Sequence, residues 1–141
     1  MALVGSRARR GVVMPESAPY LATVVEHYRR PHNHGALAAP THAHEGVNAL
    51  CGDRIRMEVD VRDGEVVEIA FAASACAIAT ASASLLTSRA QGLDVQSVLE
   101  MDDESVVAAL GAGVPAGRRA CAVLPLRVLR YALGAPTGHG A

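Results

Sequence analysis

Asp53-Arg54-Ile55-Arg56-Met57-Glu58-Val59-Asp60-Val61-Arg62-Asp63-Gly64-Glu65-Val66-Val67-Glu68-Ile69-Ala70-Phe71 is the stretch from which the fold can be read. Ile55, Met57, Val59 and Val61 alternate with Arg54, Arg56, Glu58 and Asp60, the period of a strand with one buried face. Asp63-Gly64 is a hairpin turn pair, and Glu65 to Phe71 returns with Val67, Ile69 and Phe71 on one face and Val66, Glu68 and Ala70 on the other. A two-stranded ribbon alone is marginal, so a short third strand is expected around Val47.

Helical signals flank this hairpin. Leu21, Val24, Val25 and Tyr28 share one helical face, and Pro31 ends that helix. The Ala- and Ser-rich run from Ala72 to Ala90 predicts a helix starting at or just before Cys76 and stopping at Gly92. Asp94 is placed to cap a short helix through Leu99, and Asp102 or Asp103 another closing at Gly111. Gly111 to Gly117 reads as a connector, and Arg118 to Leu133 as a last helix. Pro125 is tolerated only in a first turn, which argues that regular helix begins a few residues before it, with Cys121 near the N-terminus. The expectation is an α+β fold: a small antiparallel three-stranded sheet packed on one face by helices. Its domain spans 20–134, between an N-terminal tail over 1–19 and a C-terminal tail over 135–141.

Half of the residues are apolar, enough for one core built of Val, Leu, Ile and Ala. The 14 acidic and 13 basic residues nearly cancel, which argues against a nucleic-acid partner, and no apolar run is long enough for a membrane span. The three cysteines cannot all pair, and no secretory signal precedes them, so a reducing, cytoplasmic setting is expected. Arg7, Arg9 and Arg10, with no acid before Glu16, leave a mitochondrial presequence and matrix location as the minor alternative. His32, His34, His42 and His44 fall in segments rich in turn residues and read as solvated loop histidines, although His-x-His on an extended chain can bind metal.

Chemistry concentrates around the hairpin. Cys51 lies just before the first strand, followed by Gly52, whose missing side chain would let a ligand approach the backbone. Asp53, two residues on, points the same way as Cys51 if the chain is extended there. The hairpin folds back to bring Cys76 alongside, and Cys76 and Cys121 both fall at predicted helix starts, where the dipole favours thiolates. Cys51, Asp53, Cys76 and Cys121 together make a four-ligand set suited to Zn²⁺ or an iron-sulfur cluster, with Arg118 and Arg119 to offset its negative charge. Three isolated cysteines at these wide spacings are equally compatible with inert core residues.

The residues from His27 to Leu37, Asn48 to Asp53, Ala75 to Thr87 and Arg119 to Leu124 resemble the IscU/SufU, or NifU-like N-terminal, family of iron-sulfur cluster assembly scaffolds. Leu50-Cys51-Gly52-Asp53 and Cys76-Ala77-Ile78-Ala79-Thr80-Ala81-Ser82-Ala83-Ser84 carry the resemblance most specifically. It implies a transient [2Fe-2S] cluster or Zn²⁺ held by Cys51, Asp53, Cys76 and Cys121. It further implies a cysteine desulfurase as sulfur donor, and recipient apo iron-sulfur proteins or a carrier. Any of the three thiolates has the nucleophilicity to receive the sulfur, and Cys121, at a helix start beside two Arg, is the expected persulfide acceptor. The chain departs from the IscU branch in carrying Ala120 where a His precedes the third cysteine, and Gly113-Val114-Pro115-Ala116-Gly117 where that branch has its chaperone motif. It resembles the SufU branch with the insertion between the second and third cysteines missing. The expected function is a scaffold and sulfur acceptor rather than a conventional turnover enzyme, with a zinc-dependent sulfurtransferase as the alternative.

Overall fold

A computed structural model describes residues 18–111 and 114–134. The helices are α1 (Ala18–Arg29), α2 (Ala77–Ala90), α3 (Val95–Leu99), α4 (Asp103–Ala109) and α5 (Arg119–Gly134), the last entered through a 3₁₀ turn over Ala116–Arg118. The strands are β1 (His42–Asn48), β2 (Asp53–Arg62) and β3 (Glu65–Ser74), in one antiparallel sheet of order β1-β2-β3. Helix α1 takes in Ala18 and Pro19 from the expected tail; 1–17 and 135–141, the rest of both expected tails, lie outside the described residues.

The alternation in β2 works as its sequence dictates: Ile55, Met57 and Val59 are fully buried while Arg54 is exposed. The turn is formed by Asp63 and Gly64, both at positive φ (53° and 76°), which suits the right-handed twist of a two-residue hairpin. The returning strand departs from strict alternation. A register shift beside Asp60 and Val61 pairs Val61 with Val66, leaving Val67 as the extra residue of a bulge. Val66 is therefore fully buried and Val67 exposed, the reverse of the simple period-two assignment, while Ile69 and Phe71 stay inside as expected.

The third strand is longer than the sequence suggests. His42 to Gly46, read as loop, pairs with Val59 to Ile55 in β1. Nothing in His-Ala-His-Glu-Gly carries strand propensity; the pairing surface offered by β2 recruits it. The histidines are correspondingly engaged rather than simply solvated. His44 stacks on Tyr131 with ring centroids 5.2 Å apart, His34 meets Phe71 edge-on at 5.4 Å, and His32 Nδ1 lies 2.8 Å from Ser88 Oγ.

Helix α2 is buried nearly all round, between α1, α5 and β3, which accounts for its composition. Ala79, Ala81 and Ala83 keep the approach close, and the buried hydroxyls find partners on neighbouring elements. Ser82 Oγ donates to the Ala122 carbonyl of α5 (2.6 Å), and Ser84 Oγ accepts the His32 backbone N–H (2.7 Å) while lying 2.8 Å from His27 Nδ1. Pro125 sits well inside α5 rather than in its first turn. Its missing N–H deprives the Cys121 carbonyl of its helical donor, a cost tolerated because the helix around it, from Cys121 to Leu129, is buried apart from Arg127.

Two predictions follow from this packing. A Cβ on Gly46 would stand 2.7 Å from Val128 Cγ2, a stiff β-branched neighbour. Gly46→Ala should therefore cost about 1–3 kcal/mol in urea unfolding, the usual range for overpacking. His27 has its pKa lowered by burial first and by neighbouring His32 second, against the opposing pull of Glu26. The unfolded chain then takes up the proton more readily below the ordinary value of 6.5, so the stability His27 contributes is present above that value and lost as pH falls through the depressed one. Melting temperatures taken between about pH 8 and pH 5 should decline on the acid side for the wild type and less for His27→Gln.

Candidate metal centre

The site is built where three connections meet. The first is the turn from β1 to β2, closed on Asn48: its carbonyl accepts from Gly52 N–H (2.8 Å) and Cys51 N–H (3.2 Å), and its side-chain Oδ1 from Leu50 N–H (3.3 Å). Gly52 takes φ +74°, a left-handed value that favours glycine, while the space around its would-be Cβ is open. Its requirement is conformational, not the close approach expected from sequence. Cys51 and Asp53 do not share one extended segment either. Cys51 rides exposed on the turn, and Asp53 starts β2 on its core-facing side, 1% exposed; the turn, not a pleat, brings them together.

The second connection is the entry to α2. Cys76 is the N-cap, with φ −68° and ψ 169°, and its Sγ accepts from Ala79 N–H at 3.5 Å. A thiol sulfur thus occupies the position usually given to Ser or Asp oxygen. Its own backbone N–H donates to Asp53 Oδ1 (2.8 Å), and its Sγ lies 3.8 Å from Asp53 Oδ2. The third is the first turn of α5, which carries Cys121, fully buried, with Sγ 3.5 Å from Cys51 Sγ.

Ligand atoms of Cys51, Asp53 and Cys121 all lie within 4.8 Å of one another, and Cys76 adjoins them through the Asp53 carboxylate. Such a group can hold a metal ion: soft thiolates and one carboxylate in a closed corner, with the donor set of zinc and iron-sulfur centres. The electrostatics fit a cation. Burial, then the adjacent Asp53, Cys51 and Cys76 side chains, push the Cys121 thiol up to about 12, with Arg118 opposing. A bound cation would reverse that balance and take the thiolate form. Arg118, raised in turn by the cysteine sulfurs, is the cation facing the site; Arg119 is instead paired with Glu104. Of the two arginines expected to compensate charge, one does. Among the described residues this is also the site of the single group of three or more metal-capable side chains, and no histidine joins it.

A groove of about 370 Å³ runs from Cys76 and Ile78 past Val24, Val25 and Pro115 to Arg118. No helix among the described residues is long and apolar enough to cross a membrane.

The sequence and the fold have known relatives. The family described as NifU-like N terminal domain matches residues 19–138. An Archaeoglobus fulgidus protein named iron-sulfur cluster assembly scaffold protein IscU 1 is 30% identical over 114 residues, 81% of this chain and 74% of its own length. The Bacillus subtilis protein named zinc-dependent sulfurtransferase SufU is 37% identical over 83 residues, but these are only 58% of this chain and 55% of that protein. In three dimensions, the crystal structure of a protein from Fervidobacterium islandicum AW-1, titled a putative iron-sulfur cluster assembly scaffold for the SUF system, superposes with a TM-score of 0.69 at 20% identity. That superposition covers 83% of this chain and 98% of the other, and bears on the fold alone. With its three-stranded sheet, its helices and its cysteine-aspartate corner, the chain belongs to the NifU-like N-terminal domain family.

Proposed function

We propose that Cys51, Asp53, Cys76 and Cys121 form one ligand set, on which a transient [2Fe-2S] cluster is assembled and handed on. Sulfur comes from a cysteine desulfurase, and the cluster goes to recipient apo iron-sulfur proteins or a carrier. The observation that carries this reading is the convergence of two thiols and a buried carboxylate within 4.8 Å, with a third thiol 3.8 Å from the same carboxylate. One oxygen among sulfur ligands favours release, which suits cargo more than a resident cofactor.

Sulfur delivery requires a thiolate to attack the outer sulfur of the desulfurase persulfide, moving that sulfur across and returning the donor's cysteine as thiolate. Cys121 is the proposed acceptor because Arg118 faces its sulfur and opposes the burial and neighbouring side chains that hold the thiol up at about 12; the attacking thiolate would form once a bound cation reverses that balance. Its burial makes the exposed Cys51 turn the route of access. Anaerobic reconstitution with ferrous iron, a desulfurase-cysteine mixture and excess dithiol, which reduces the transferred persulfide sulfur to sulfide as the dithiol is oxidised to its disulfide, should give a labile visible chromophore, absent from Cys51→Ala. A colourless wild-type product would overturn the scaffold reading.

A second reading, a zinc-dependent sulfurtransferase, is favoured by Ala120 and Arg118 standing beside Cys121 without a histidine, and by the name of the Bacillus relative. Zn²⁺, when bound, would supply a Lewis acid that keeps the cysteines deprotonated near neutral pH. Under this reading one zinc per chain survives gel filtration and added protein raises desulfurase turnover, with no chromophore on reconstitution.

Asp53 has two roles that substitutions can separate. Asp53→Asn keeps an oxygen for the Cys76 N–H and should unfold close to wild type while binding metal more weakly. Asp53→Ala strands that N–H, and should cost about 1–3 kcal/mol in denaturant unfolding of the metal-free protein.

A further inference from the structure

Asn48 carries the one buried side-chain polar atom without a hydrogen-bond partner among the described residues, its Nδ2. Its orientation is fixed: Oδ1 accepts from Leu50 N–H, so the amide nitrogen must point the other way. An unsatisfied buried donor is rare and costly enough to need an explanation.

Its place in the fold supplies one. Asn48 stands directly opposite Asp53 in the β1–β2 ladder, so the two side chains share one face of the ribbon. That face is the one against α5: His44 stacks on Tyr131, and a Cβ on Gly46 would meet Val128 and Leu124. Two residues further along the same face, Asn48 falls level with the next turn of α5, which carries Cys121. The orphan donor therefore belongs to the residue paired with Asp53 on the face against α5, at the start of the turn that holds Cys51.

We propose that Asn48 is a positioning residue of the metal site: its side-chain amide donates a hydrogen bond to a ligand sulfur, foremost Cys51, once metal binding has converted thiols to thiolates. This rests on the four-ligand site proposed above. A thiol sulfur is a weak acceptor and leaves the amide unpaired, whereas a thiolate is a strong one. Cys51 is the exposed thiol of the set and belongs to the same turn, so its side chain can swing toward the metal without disturbing the sheet. The bond would both fix that orientation and offset part of the ligand charge, as partners of ligating groups do elsewhere.

Zn²⁺ affinity, by chelator competition, and the sulfur-to-metal charge-transfer band of the Co²⁺ form should be measured for wild type, Asn48→Ala and Asn48→Ser. Serine can still accept the Leu50 N–H in an equivalent turn but cannot reach the site. Both variants should lose about 10- to 100-fold in Zn²⁺ affinity. Both should also shift the Co²⁺ band to longer wavelength, since an unbonded thiolate gives up electron density more easily. Metal-free Asn48→Ser should melt near wild type. If Asn48→Ser binds Zn²⁺ as tightly as wild type with an unmoved band, Asn48 serves the turn alone and the inference fails. If the wild type takes up neither metal, the four-ligand reading fails and this inference with it.

Discussion

The site depends on one hydrogen bond, from the Cys76 backbone N–H to Asp53 Oδ1 at 2.8 Å. It joins the first residue of β2 to the N-cap of α2 across the whole β2–β3 hairpin, and does so through a carboxylate that is 1% exposed. A buried carboxylate is expensive unless its oxygens are matched to donors. Here one oxygen is committed to the backbone and the other is left near Cys76 Sγ, 3.8 Å away, facing the thiols. The same bond thus fixes where α2 begins, where Cys76 sits, and which way the free oxygen points. Helix α2, placed by this contact, in turn receives α1 through Ser84 and anchors α5 through Ser82.

The charge balance of the corner explains why it can be both stable and receptive. Burial first, and then the adjacent Asp53, Cys51 and Cys76 side chains, hold the Cys121 thiol up at about 12. Protonated, Cys121 packs as a small apolar group within the hydrophobic core. Arg118 lies near enough for the cysteine sulfurs to raise its pKa. It is exposed, so its field is screened and it moderates rather than cancels the repulsion. A metal ion, which this group of side chains could hold, would supply the remaining compensation.

Much of this was legible in the sequence because it rests on local rules. The alternation of Ile55, Met57 and Val59 gave β2, Asp63-Gly64 gave the turn, and Asp94 and Asp102 marked helix starts that their side chains do cap. What escaped were features imposed by neighbours. The β3 bulge that buries Val66 and expels Val67 follows from pairing register, not composition. Strand β1 over His42–Gly46 exists because β2 offers an edge. Pro125 is held within α5 by burial that no local rule anticipates. The Ala-Ser-Ala-Ser run was recognisable as a motif, yet its reason, hydroxyls feeding Ala122 and receiving His32, needed α2 to be seen between α1 and α5. Asn48 was read as part of the cysteine motif, and its unpaired amide has no signature in sequence at all.

The four candidate ligands differ in how firmly the fold holds them, and the difference has a direction. Cys121 is in a buried helix, Asp53 and Cys76 are tied to one another, and only Cys51 rides on an exposed turn, beside a Leu50 that is 96% exposed. That turn is closed by three hydrogen bonds, all converging on Asn48. Segments with few buried contacts open at the least cost in free energy, so opening there leaves the sheet ladder and both helix termini intact. The architecture thus combines three firmly held candidate ligands with a fourth on an exposed turn. A corner built for permanent retention would bury all four alike; one that must admit and surrender its contents needs its weakest tether where solvent and partners can reach it.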